Sequence, residues 1–556
     1  MVIILFIFLN MVSVLVSGGE LDNKIIPEVE KRQALEKSIQ RQLDRWNGKK
    51  LQYKRNLSPT QEIKSRQDVA SLAAKFSSRG IVIQPQRSID ILENCGVIVV
   101  GGGPAGLSAA LSAKRTLYNI VEKVCLIDEA PYFGGTITKT GMETMGWYRY
   151  EGTIESNGIG REMENLAAKM GGTSKWPFNN SDCLNAHHFK YVADILVKKE
   201  GIIPFLGSKV TEVIIHDNKV NGVIVENASG RQAIIGNQIV DATGNAVVAY
   251  LSGANFRKTD TKEMMGVTTV FSVSGVNKNK FLSHINKNPA TYEDWNTDQW
   301  AQDTSGKEDR LKSPYWGKEF EKAKKLGIIP EEMTGFAGSW SAISDTGEAT
   351  NLNIVHMKEI DCTNQDDVTK AEIEGREKVY YAIDALRATV PGFENIELCS
   401  FSSYLGCRDT RYIDSGNRLS GHHVIQEGTA KDSIGIFPEF VDGHNVLLLP
   451  STGRVFEVPY SIMLPKKITN LILAGRHVDT DIIAGSAMRN MMACTITGQG
   501  AGIGAAVSLQ TNKEVSSVDI KLVQRELRKQ GVSITKNELL KNEELNNLYG
   551  NKLFSN

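Results

Sequence analysis

The sequence predicts an α/β protein in which one domain is interrupted by a second domain and completed near the C-terminus. A β-branched strand, a glycine-rich loop and a helical pattern follow one another in "GVIVVGGGPAGLSAALSAKR" at residues 96–115. From about residue 257 the composition changes, and tryptophans crowd among lysine, aspartate and asparagine between Trp295 and Trp340. The apolar stretch "NLILAGR" at residues 470–476 returns to the first pattern. Such alternation of strand and helix patterns is typical of α/β domains.

The length of 556 residues exceeds the size of a single hydrophobic core, so several domains are expected. The inserted part is expected to be an α+β substrate or cap domain. The predicted segments are a signal peptide at 1–18, an N-terminal extension at 19–90, the first part of the main domain at 91–256, the cap domain at 257–444, the second part of the main domain at 445–515, and a C-terminal helix and tail at 516–556.

The N-terminal residues predict export. An apolar run through Val16 is followed by the small residues Ser17 and Gly18, which is the pattern of a signal peptide and its cleavage site. The sequence therefore favours a secreted or ER-lumen protein without stable membrane insertion. An uncleaved signal anchor is the alternative, because no lysine or arginine precedes the apolar run.

Charge and cysteine content argue against several classes of protein. The 64 Lys and Arg balance the 64 Asp and Glu, so no long-range field favours nucleic acid as a partner. The 7 cysteines are widely spaced, with neither a CxxC nor a metal-like pairing with histidine, which predicts no metal site. In an oxidising compartment Cys399 and Cys407 are the candidate disulfide, and buried thiols are expected for most of the cysteines.

The glycine loop after the first strand has the spacing Gly101-x-Gly103-x-x-Gly106, with Pro104 and Ala105 inside it. The first glycine permits a tight turn, the second lets a diphosphate approach the backbone, and the third allows close helix–strand packing. The anion then lies at the helix N-terminus, where backbone N–H groups point outward. The loop therefore predicts a phosphate site.

A second apolar strand, "VCLID", ends in Asp128, about 20 residues after the loop, and Glu129 follows it. A carboxylate at this position accepts hydrogen bonds from ribose hydroxyls. Strand, turn, helix, strand and acid in this order predict a dinucleotide site.

Three later stretches favour FAD over NAD. The first is "GGT" at residues 134–136, and the second is the strand ending at Asp241 with "ATG" after it. The third joins Gly475 and Arg476 to a glycine-rich stretch at residues 498–502. A domain that binds only NAD needs no second phosphate-facing segment so far along the chain.

From about residue 95 to 532 the sequence resembles the FAD-dependent oxidoreductases of the two-dinucleotide-binding-domain class, in particular a broad group of often exported, bacterial-type flavoproteins. The resemblance includes "AEIEGREKVYYAIDALRATVPGFENIEL" at 371–398 and "YLGCRDTRYIDSG" at 404–416. It implies a Rossmann-like, glutathione-reductase-like FAD-binding domain with an inserted cap. Two positions depart from the family pattern: Asn245 stands where an acid is more frequent, and "GQGAG" replaces "GQAAG".

The resemblance also implies which residues hold FAD. Gly498, Gln499, Ala501 and Gly502 are expected to begin a helix whose N-terminus faces the flavin pyrimidine edge, where a reduced flavin carries negative charge. The implied FAD residues are Gly101, Gly103, Pro104, Ala105 and Gly106 at the diphosphate, Asp128 and Glu129 at the adenosine ribose, Gly134, Gly135 and Thr136 toward the flavin, Val210 at the adenine, Ala242, Thr243 and Gly244 after the strand that ends at Asp241, Gly475 and Arg476 near the ribityl phosphate, and Gly498, Gln499, Ala501 and Gly502 at the flavin.

Five residues are candidates for catalysis. Arg489 is expected to place a cation near the isoalloxazine. Arg408 and Arg411, three residues apart, would share a helix face and present guanidinium groups to a carboxylate or an enolate-like charge, with a salt-bridged structural pair as the alternative. His477 is a candidate proton carrier or a structural histidine. Tyr460 is a candidate acid near the flavin, with a core tyrosine as the equal alternative.

The expected function is an FAD-dependent oxidoreductase that transfers a hydride between a small organic substrate and the flavin, with O₂ or another electron acceptor as second partner. The absence of CxxxxC near "GGT" disfavours a flavin disulfide reductase, and no second GxGxxG predicts a separate NADPH domain. Two alternatives stay open: an enoyl reductase or dehydrogenase in the manner of fumarate reductase and ketosteroid dehydrogenase, and a flavin-binding protein without catalysis. A covalent link of FAD to a histidine or cysteine is a further possibility.

Overall fold

The structure is a computed structural model, and it describes residues 88–149, 153–175, 181–288, 316–339, 342–450 and 453–541, residue 86, parts of a helix within 33–44, and short strand segments elsewhere. The predicted signal peptide at 1–18 lies outside the described residues. Within the described ranges, no helix is both long enough and apolar enough to span a membrane.

The described chain forms helices and strands throughout. The helices are α1 (Pro104–Thr116), α2 (Thr136–Thr140), α3 (Ile159–Lys169), α4 (Ala186–Lys199), α5 (Val247–Leu251), α6 (Lys278–Lys287), α7 (Gly317–Lys325), α8 (Gln365–Thr389), α9 (Gly421–Ile425), α10 (Ile482–Met488), α11 (Met491–Thr511) and α12 (Ile520–Lys529). The strands are β1 (Gln52–Lys54), β2 (Lys75–Phe76), β3 (Val82–Ile83), β4 (Asp90–Val100), β5 (Val124–Ile127), β6 (Thr173–Lys175), β7 (Asp182–Leu184), β8 (Ile203–Phe205), β9 (Lys209–His216), β10 (Lys219–Asn227), β11 (Gly230–Asp241), β12 (Phe256–Lys258), β13 (Val267–Thr268), β14 (Phe271–Ser274), β15 (Asn296–Thr297), β16 (Trp300–Ala301), β17 (Asp303–Thr304), β18 (Phe336–Ser339), β19 (Ala342–Ile343), β20 (Ala349–Met357), β21 (Glu397–Phe401), β22 (Arg411–Ile413), β23 (Ser433–Pro438), β24 (Val441–Gly443), β25 (Val446–Leu448), β26 (Val455–Pro459) and β27 (Leu471–Leu473).

The main sheet has seven strands in the order β8-β5-β4-β11-β10-β9, with β27 also paired to β11. Strands β8, β5, β4, β11 and β27 run parallel, and β9 and β10 add antiparallel neighbours. The apolar end of β4, from Val97 to Val100, is buried, as expected of a parallel strand covered on both faces. The carboxyl ends of the parallel strands meet at one edge, which is where such sheets bind ligands.

Strand β27 and helix α11 come from the C-terminal part of the chain and complete this first core. Leu471, Ile472 and Leu473 belong to the same buried cluster as the residues of β4 and β5. Leu35 and Ile39 of the N-terminal extension also lie in this cluster. The first core is therefore built from parts of the chain that lie on both sides of the second core in the sequence.

A second hydrophobic core lies between Val267 and Leu405. Strand β20 pairs with β13, β14, β18 and β19, and helices α7 and α8 pack beside it. Trp316 is buried in this core, with its ring centroid 5.5 Å from that of Phe393. Residues from Ile413 to Leu449 pack in the first core instead, so the second core is shorter than the predicted cap segment at 257–444.

The candidate disulfide between Cys399 and Cys407 is not the one that Cys407 forms. Cys407 pairs with Cys362, and their Cα atoms are 6.3 Å apart. Cys399 is exposed and free on β21, whereas Cys362 lies in the loop between β20 and α8, opposite Cys407. Cys95 and Cys125, on the neighbouring strands β4 and β5, form a second disulfide. The expectation of buried thiols therefore fails for these four residues.

Glu143 connects the two cores. Its carboxylate accepts hydrogen bonds from Thr350 Oγ1 of β20 at 2.5 Å and from the Ala186 N–H at the start of α4 at 3.1 Å. Burial raises the pKa of Glu143 to about 7, although these two hydrogen bonds act in the opposite direction. The folded protein therefore holds a proton that the unfolded chain releases between pH 4.5 and about 7.

Glu143→Gln is expected to make the protein more stable at pH 8 by about 1–3 kcal/mol and to have little effect near pH 4.5. Wild-type stability falls as pH rises across that interval, because the buried carboxyl group must ionise, and glutamine does not ionise. Thermal unfolding from pH 4.5 to 8.5 measures the difference. The exposed Glu332→Gln is the control. An equal pH dependence of wild type and Glu143→Gln would contradict the assignment.

Candidate functional site

The glycine loop joins β4 to α1 and forms a cradle for an anion. Gly101 has a φ of +99°, a conformation that favours glycine. A Cβ atom on Gly106 would overlap the Gly101 carbonyl oxygen, so glycine allows α1 to start this close to the strand. Helix α1 begins at Pro104, and its N-cap Gly103 supplies no capping side chain. The amides of the first turn, from Ala105 onward, can therefore bind an anion.

Asp128 lies directly after β5, and its carboxylate is held at this cradle. It accepts hydrogen bonds from the N–H groups of Gly102 at 2.6 Å and Ala130 at 2.8 Å. Lys139 Nζ, in the last turn of α2, lies 2.7 Å from Asp128 Oδ1. The side chain of Glu129 is half exposed and lies 3.6 Å from the same ammonium group. Sequence reasoning did not identify Lys139, although it lies one turn after the "GGT" stretch.

The second pair of glycines packs against the first loop. The Gly134 N–H donates to the Gly102 carbonyl at 2.8 Å, and Thr136 begins α2. A Cβ atom on Gly135 would lie 2.5 Å from the Cα of Gly103, so glycine at position 135 lets the two loops approach closely. Val210, the predicted adenine contact, is buried in β9, close to where the Ser208 N–H donates to the Asp128 carbonyl.

The turn after β11 lies beside the glycine loop. The Ala242 N–H donates to the Val100 carbonyl at 2.8 Å, and Thr243 Oγ1 donates to Asp241. Gly244 faces Arg476, because a Cβ atom there would lie 3.2 Å from the guanidinium carbon. The sheet thus brings the "ATG" turn to the same edge as the diphosphate cradle.

Strand β27 delivers Gly475 and Arg476 to this edge. The Gly475 N–H donates to Thr497 Oγ1 of α11 at 2.9 Å. A Cβ atom on Gly475 would lie 3.5 Å from Ala105 Cβ in the first turn of α1. The Arg476 guanidinium donates to Asn245 Oδ1 at 2.7 Å. Gly475 therefore lies between α1 and α11, and the predicted place of both residues near the ribityl phosphate stays a prediction.

The expected helix start at Gly498 is wrong. Helix α11 begins at Met491, and Gly498, Gln499, Ala501 and Gly502 are buried in its middle. Cβ atoms on Gly498 and Gly502 would overlap the carbonyl oxygens of Ala105 and Ala109, so these glycines allow α11 to pack closely on α1. Gln499 Oε1 accepts a hydrogen bond from the Ile159 N–H at 3.2 Å. The N-terminus that can face a ligand lies at Asn490, whose side chain does not cap the helix.

Arg489 lies directly before this N-terminus, and its predicted place near the isoalloxazine stays a prediction. Its Nη2 lies 2.8 Å from Asp442 Oδ2, and its Nε donates to the Asp442 carbonyl at 3.0 Å. The positive charge of Arg489 is thus partly neutralised by the carboxylate of Asp442 in β24. Cys494 Sγ lies 3.5 Å from the carbonyl oxygens of Met488 and Arg489, and burial raises the pKa of this thiol to about 12.

Arg408 and Arg411 do not share a helix face, because no helix forms there and Arg411 begins β22. Arg408 Nη1 lies 3.4 Å from His356 Nδ1, and burial together with the Arg408 charge lowers the pKa of that histidine. Arg411 donates to the Asn245 carbonyl at 2.8 Å. The segment between them runs from β20 of the second core to the turn after β11, where Thr410 Oγ1 donates to the Gly244 carbonyl at 3.0 Å.

His477 and Tyr460 are buried in the first core. His477 Nε2 lies 3.0 Å from the Asp241 carbonyl oxygen, and burial lowers the pKa of its imidazole. The Tyr460 hydroxyl donates to the Val515 carbonyl at 3.1 Å, and burial raises its pKa. Both positions favour the structural alternatives, and catalytic roles for these two residues stay predictions.

The residues at this edge fit a dinucleotide with a diphosphate. The α1 amides supply donors for an anion, and Asp128 supplies acceptors for ribose hydroxyls. Buried Nε atoms of Arg411 and Arg476 have no hydrogen-bond partner among the described residues. Such donors are costly to bury, so a ligand that accepts from the two guanidinium groups would stabilise the edge.

Asp128→Ala is expected to weaken FAD binding roughly 10- to 100-fold, because a charged hydrogen-bond acceptor contributes about 1.5–3 kcal/mol. The change also leaves the Gly102 and Ala130 amides and Lys139 without their acceptor. Titration of the apoprotein with FAD, followed by flavin fluorescence, measures the affinity. The exposed Glu332→Ala, outside the residues assigned to FAD, is the control and is expected to bind FAD as wild type does. Equal dissociation constants for the two variants would contradict the role of Asp128.

Comparison with known proteins agrees with this arrangement. Residues 96–527 match the family described as FAD dependent oxidoreductase. None of the curated proteins with which the sequence was compared matches it. The chain is similar to the solved structure of a geranylgeranyl bacteriochlorophyll reductase-like protein from Thermoplasma acidophilum, at 14% identity over 81% of this chain and 86% of that one, with a TM-score of 0.40. It is also similar to p-nitrophenol 4-monooxygenase from Pseudomonas putida, at 11% identity over 78% of this chain and 84% of that one, with a TM-score of 0.37. By the family match, which covers most of its length, the chain belongs to the FAD-dependent oxidoreductases and is an enzyme that uses FAD.

Proposed function

We propose that the enzyme transfers a hydride between a small organic substrate and FAD, and that O₂ or another acceptor is its second partner. The observation that carries the proposal is the edge of the main sheet, where the diphosphate cradle, Asp128 and Arg476 lie, with Arg489 before α11 close enough to act on the Arg476 charge. The sequence contains no second GxGxxG loop for a nicotinamide cofactor besides the one at residues 101–106. This supports direct reaction of the substrate at the flavin.

Bound FAD supplies the two-electron chemistry, and the protein supplies binding, orientation and charge. The α1 amides would hold the diphosphate, and Asp128 would hold the adenosine ribose. The uncapped N-terminus of α11 presents amide N–H groups, which stabilise negative charge within the first turn of a helix. Arg489 adds a positive charge at the same place, attenuated by Asp442. Because α11 begins at Met491, the stabilisation of negative charge by helix amides is assigned to the turn that follows Asn490 instead of to Gly498.

We also propose that the protein acts outside the cytosol, in a secreted or ER-lumen setting. The disulfide between Cys362 and Cys407 supports this, because such bonds persist in oxidising compartments. N-terminal sequencing of the protein recovered from culture medium tests the proposal. A mature N-terminus near residue 19 is expected, and retention in the reducing cytosol with free thiols would contradict it.

The first experiment on the function is an absorption spectrum of the purified protein before and after acid precipitation. Flavin bands in the supernatant are expected, which means FAD held without a covalent bond. Bands that stay in the pellet would indicate a covalent link. Anaerobic addition of candidate substrates should then bleach the long-wavelength band, and air should restore it if O₂ is the acceptor. A colourless protein that takes up no FAD, or a flavin that no donor reduces, would contradict the proposed function.

A further inference from the structure

Two arginines from distant parts of the chain meet at Asn245. Arg476 Nη2 donates to Asn245 Oδ1 at 2.7 Å, and Arg411 Nη1 donates to the backbone oxygen of the same residue at 2.8 Å. The side-chain amide and the backbone carbonyl of Asn245 are both neutral. Asn245 therefore connects the two guanidinium groups without balancing their positive charges. Among the residues that the structure describes, no carboxylate oxygen lies within 4.0 Å of either group.

Both charges lie in surroundings that disfavour them. Burial lowers the pKa of Arg411 and of Arg476. The Arg411 guanidinium stacks on the Tyr250 ring, 4.0 Å from its centroid, and 5.5 Å from that of Phe256. Partly buried cations without a counter-ion are unfavourable, because desolvation is not offset by an opposite charge.

The nearest carboxylates have other partners. Asp241 accepts hydrogen bonds from Thr243 and from the Ala249 N–H. Asp361 forms an ion pair with Lys258. These two acids therefore act on Arg411 only from a longer range. Asp409, which lies 3.5 Å from His444, acts on Arg476 in the same way, without forming an ion pair with it. The remaining donors, Nη2 of Arg411 and Nη1 of Arg476, make no hydrogen bond with this part of the chain, so an incoming anion can use them.

Resting on the proposed function, we propose that Arg411 and Arg476, which meet at Asn245, form an oxyanion subsite whose open guanidinium donors take a carboxylate group of the substrate. The substrate class is then an organic acid. The subsite lies beside Gly244, at the same sheet edge as the cofactor loops. The diphosphate of FAD has its own donors in the amides of α1, so the arginine pair is a second site for negative charge. Bidentate guanidinium groups are well suited to a carboxylate.

Asn245→Asp tests the proposal, because it places the missing counter-ion inside the protein. Thermal unfolding and the visible flavin spectrum of the FAD-saturated protein are measured with sodium acetate and with sodium chloride at equal ionic strength. Wild type is expected to be stabilised by acetate and to show a shifted flavin band. Asn245→Asp is expected to unfold at a higher temperature in chloride and to bind acetate at least tenfold more weakly.

Two further variants separate charge from shape. Asn245→Ala removes the bridging amide side chain but keeps both arginines, and it is expected to keep the response to acetate. Arg411→Gln is expected to lose most of it. Equal acetate binding by wild type and Asn245→Asp would overturn the proposal. A response confined to the FAD-free protein would also overturn it, since the anion would then stand in for the cofactor diphosphate. Bleaching by a donor tests hydride transfer separately, so its failure leaves the acetate result standing.

Discussion

Asp479→Ala is expected to lower the free energy of unfolding by about 3–5 kcal/mol, because it removes the counter-ion of a buried arginine. Asp479 forms an ion pair with Arg257, and both side chains are almost fully buried, at 1% and 0% exposed. Its other oxygen accepts hydrogen bonds from the N–H at 2.8 Å and the hydroxyl at 3.0 Å of Ser415. One carboxylate thus joins β12, the turn after β22 and the loop after β27, which carries Arg476.

Denaturant unfolding with saturating FAD measures the loss. Asp384→Ala, which breaks the exposed pair between Asp384 and Arg387, is the matched control and is expected to change stability by less than about 1 kcal/mol. If the two variants unfold at the same midpoint, Arg257 does not depend on Asp479. The double change Arg257→Leu and Asp479→Leu is expected to be more stable than Asp479→Ala, because it leaves no buried charge without a partner.

The sequence predicts the cofactor cradle well because each of its parts is local. The spacing of Gly101, Gly103 and Gly106 translates directly into a turn and a helix start, and Asp128 follows at the end of the next strand. Contacts that join distant segments are not readable in this way. Arg411 reaches Asn245 across 166 residues and Arg476 reaches it across 231, so no local pattern reports that they meet.

Two predictions, the shared helix face of Arg408 and Arg411 and the helix start at Gly498, are wrong because each local pattern fits two different structures. The spacing of Arg408 and Arg411 places them on one face only in a helix, and the strand that begins at Arg411 removes that condition. Likewise, a glycine run suits both the start of a helix and a close contact in its middle. Asn490 is a favourable N-cap residue, and its position before an apolar run was the available signal for a helix start at Met491.

Gly498→Ala is expected to weaken FAD binding and to destabilise the protein by about 1–3 kcal/mol, through overpacking between α11 and α1. The added methyl group would overlap the Ala105 carbonyl oxygen, which belongs to backbone and cannot rotate away. Relief requires α11 to move off the first turn of α1, and that turn supplies the amides for the FAD diphosphate. Stability and cofactor affinity should therefore fall together, as measured by thermal unfolding and FAD titration.

Gly500→Ala is the matched control within the same helix. A Cβ atom there would meet the buried Ile434 side chain, with Cδ1 at 2.6 Å and Cβ at 3.1 Å, and not the backbone of α1. Alanine also favours a helix over glycine by about 1 kcal/mol, which offsets part of this crowding, so the control should bind FAD as wild type does. If Gly498→Ala kept both the stability and the FAD affinity of wild type, the close packing of α11 on α1 would not support the cofactor site. The role that the sequence analysis gave the glycines of α11, at the flavin itself, would then have to be reconsidered. Loss of affinity in Gly498→Ala alone would instead show that they act on the cofactor through the position of α1.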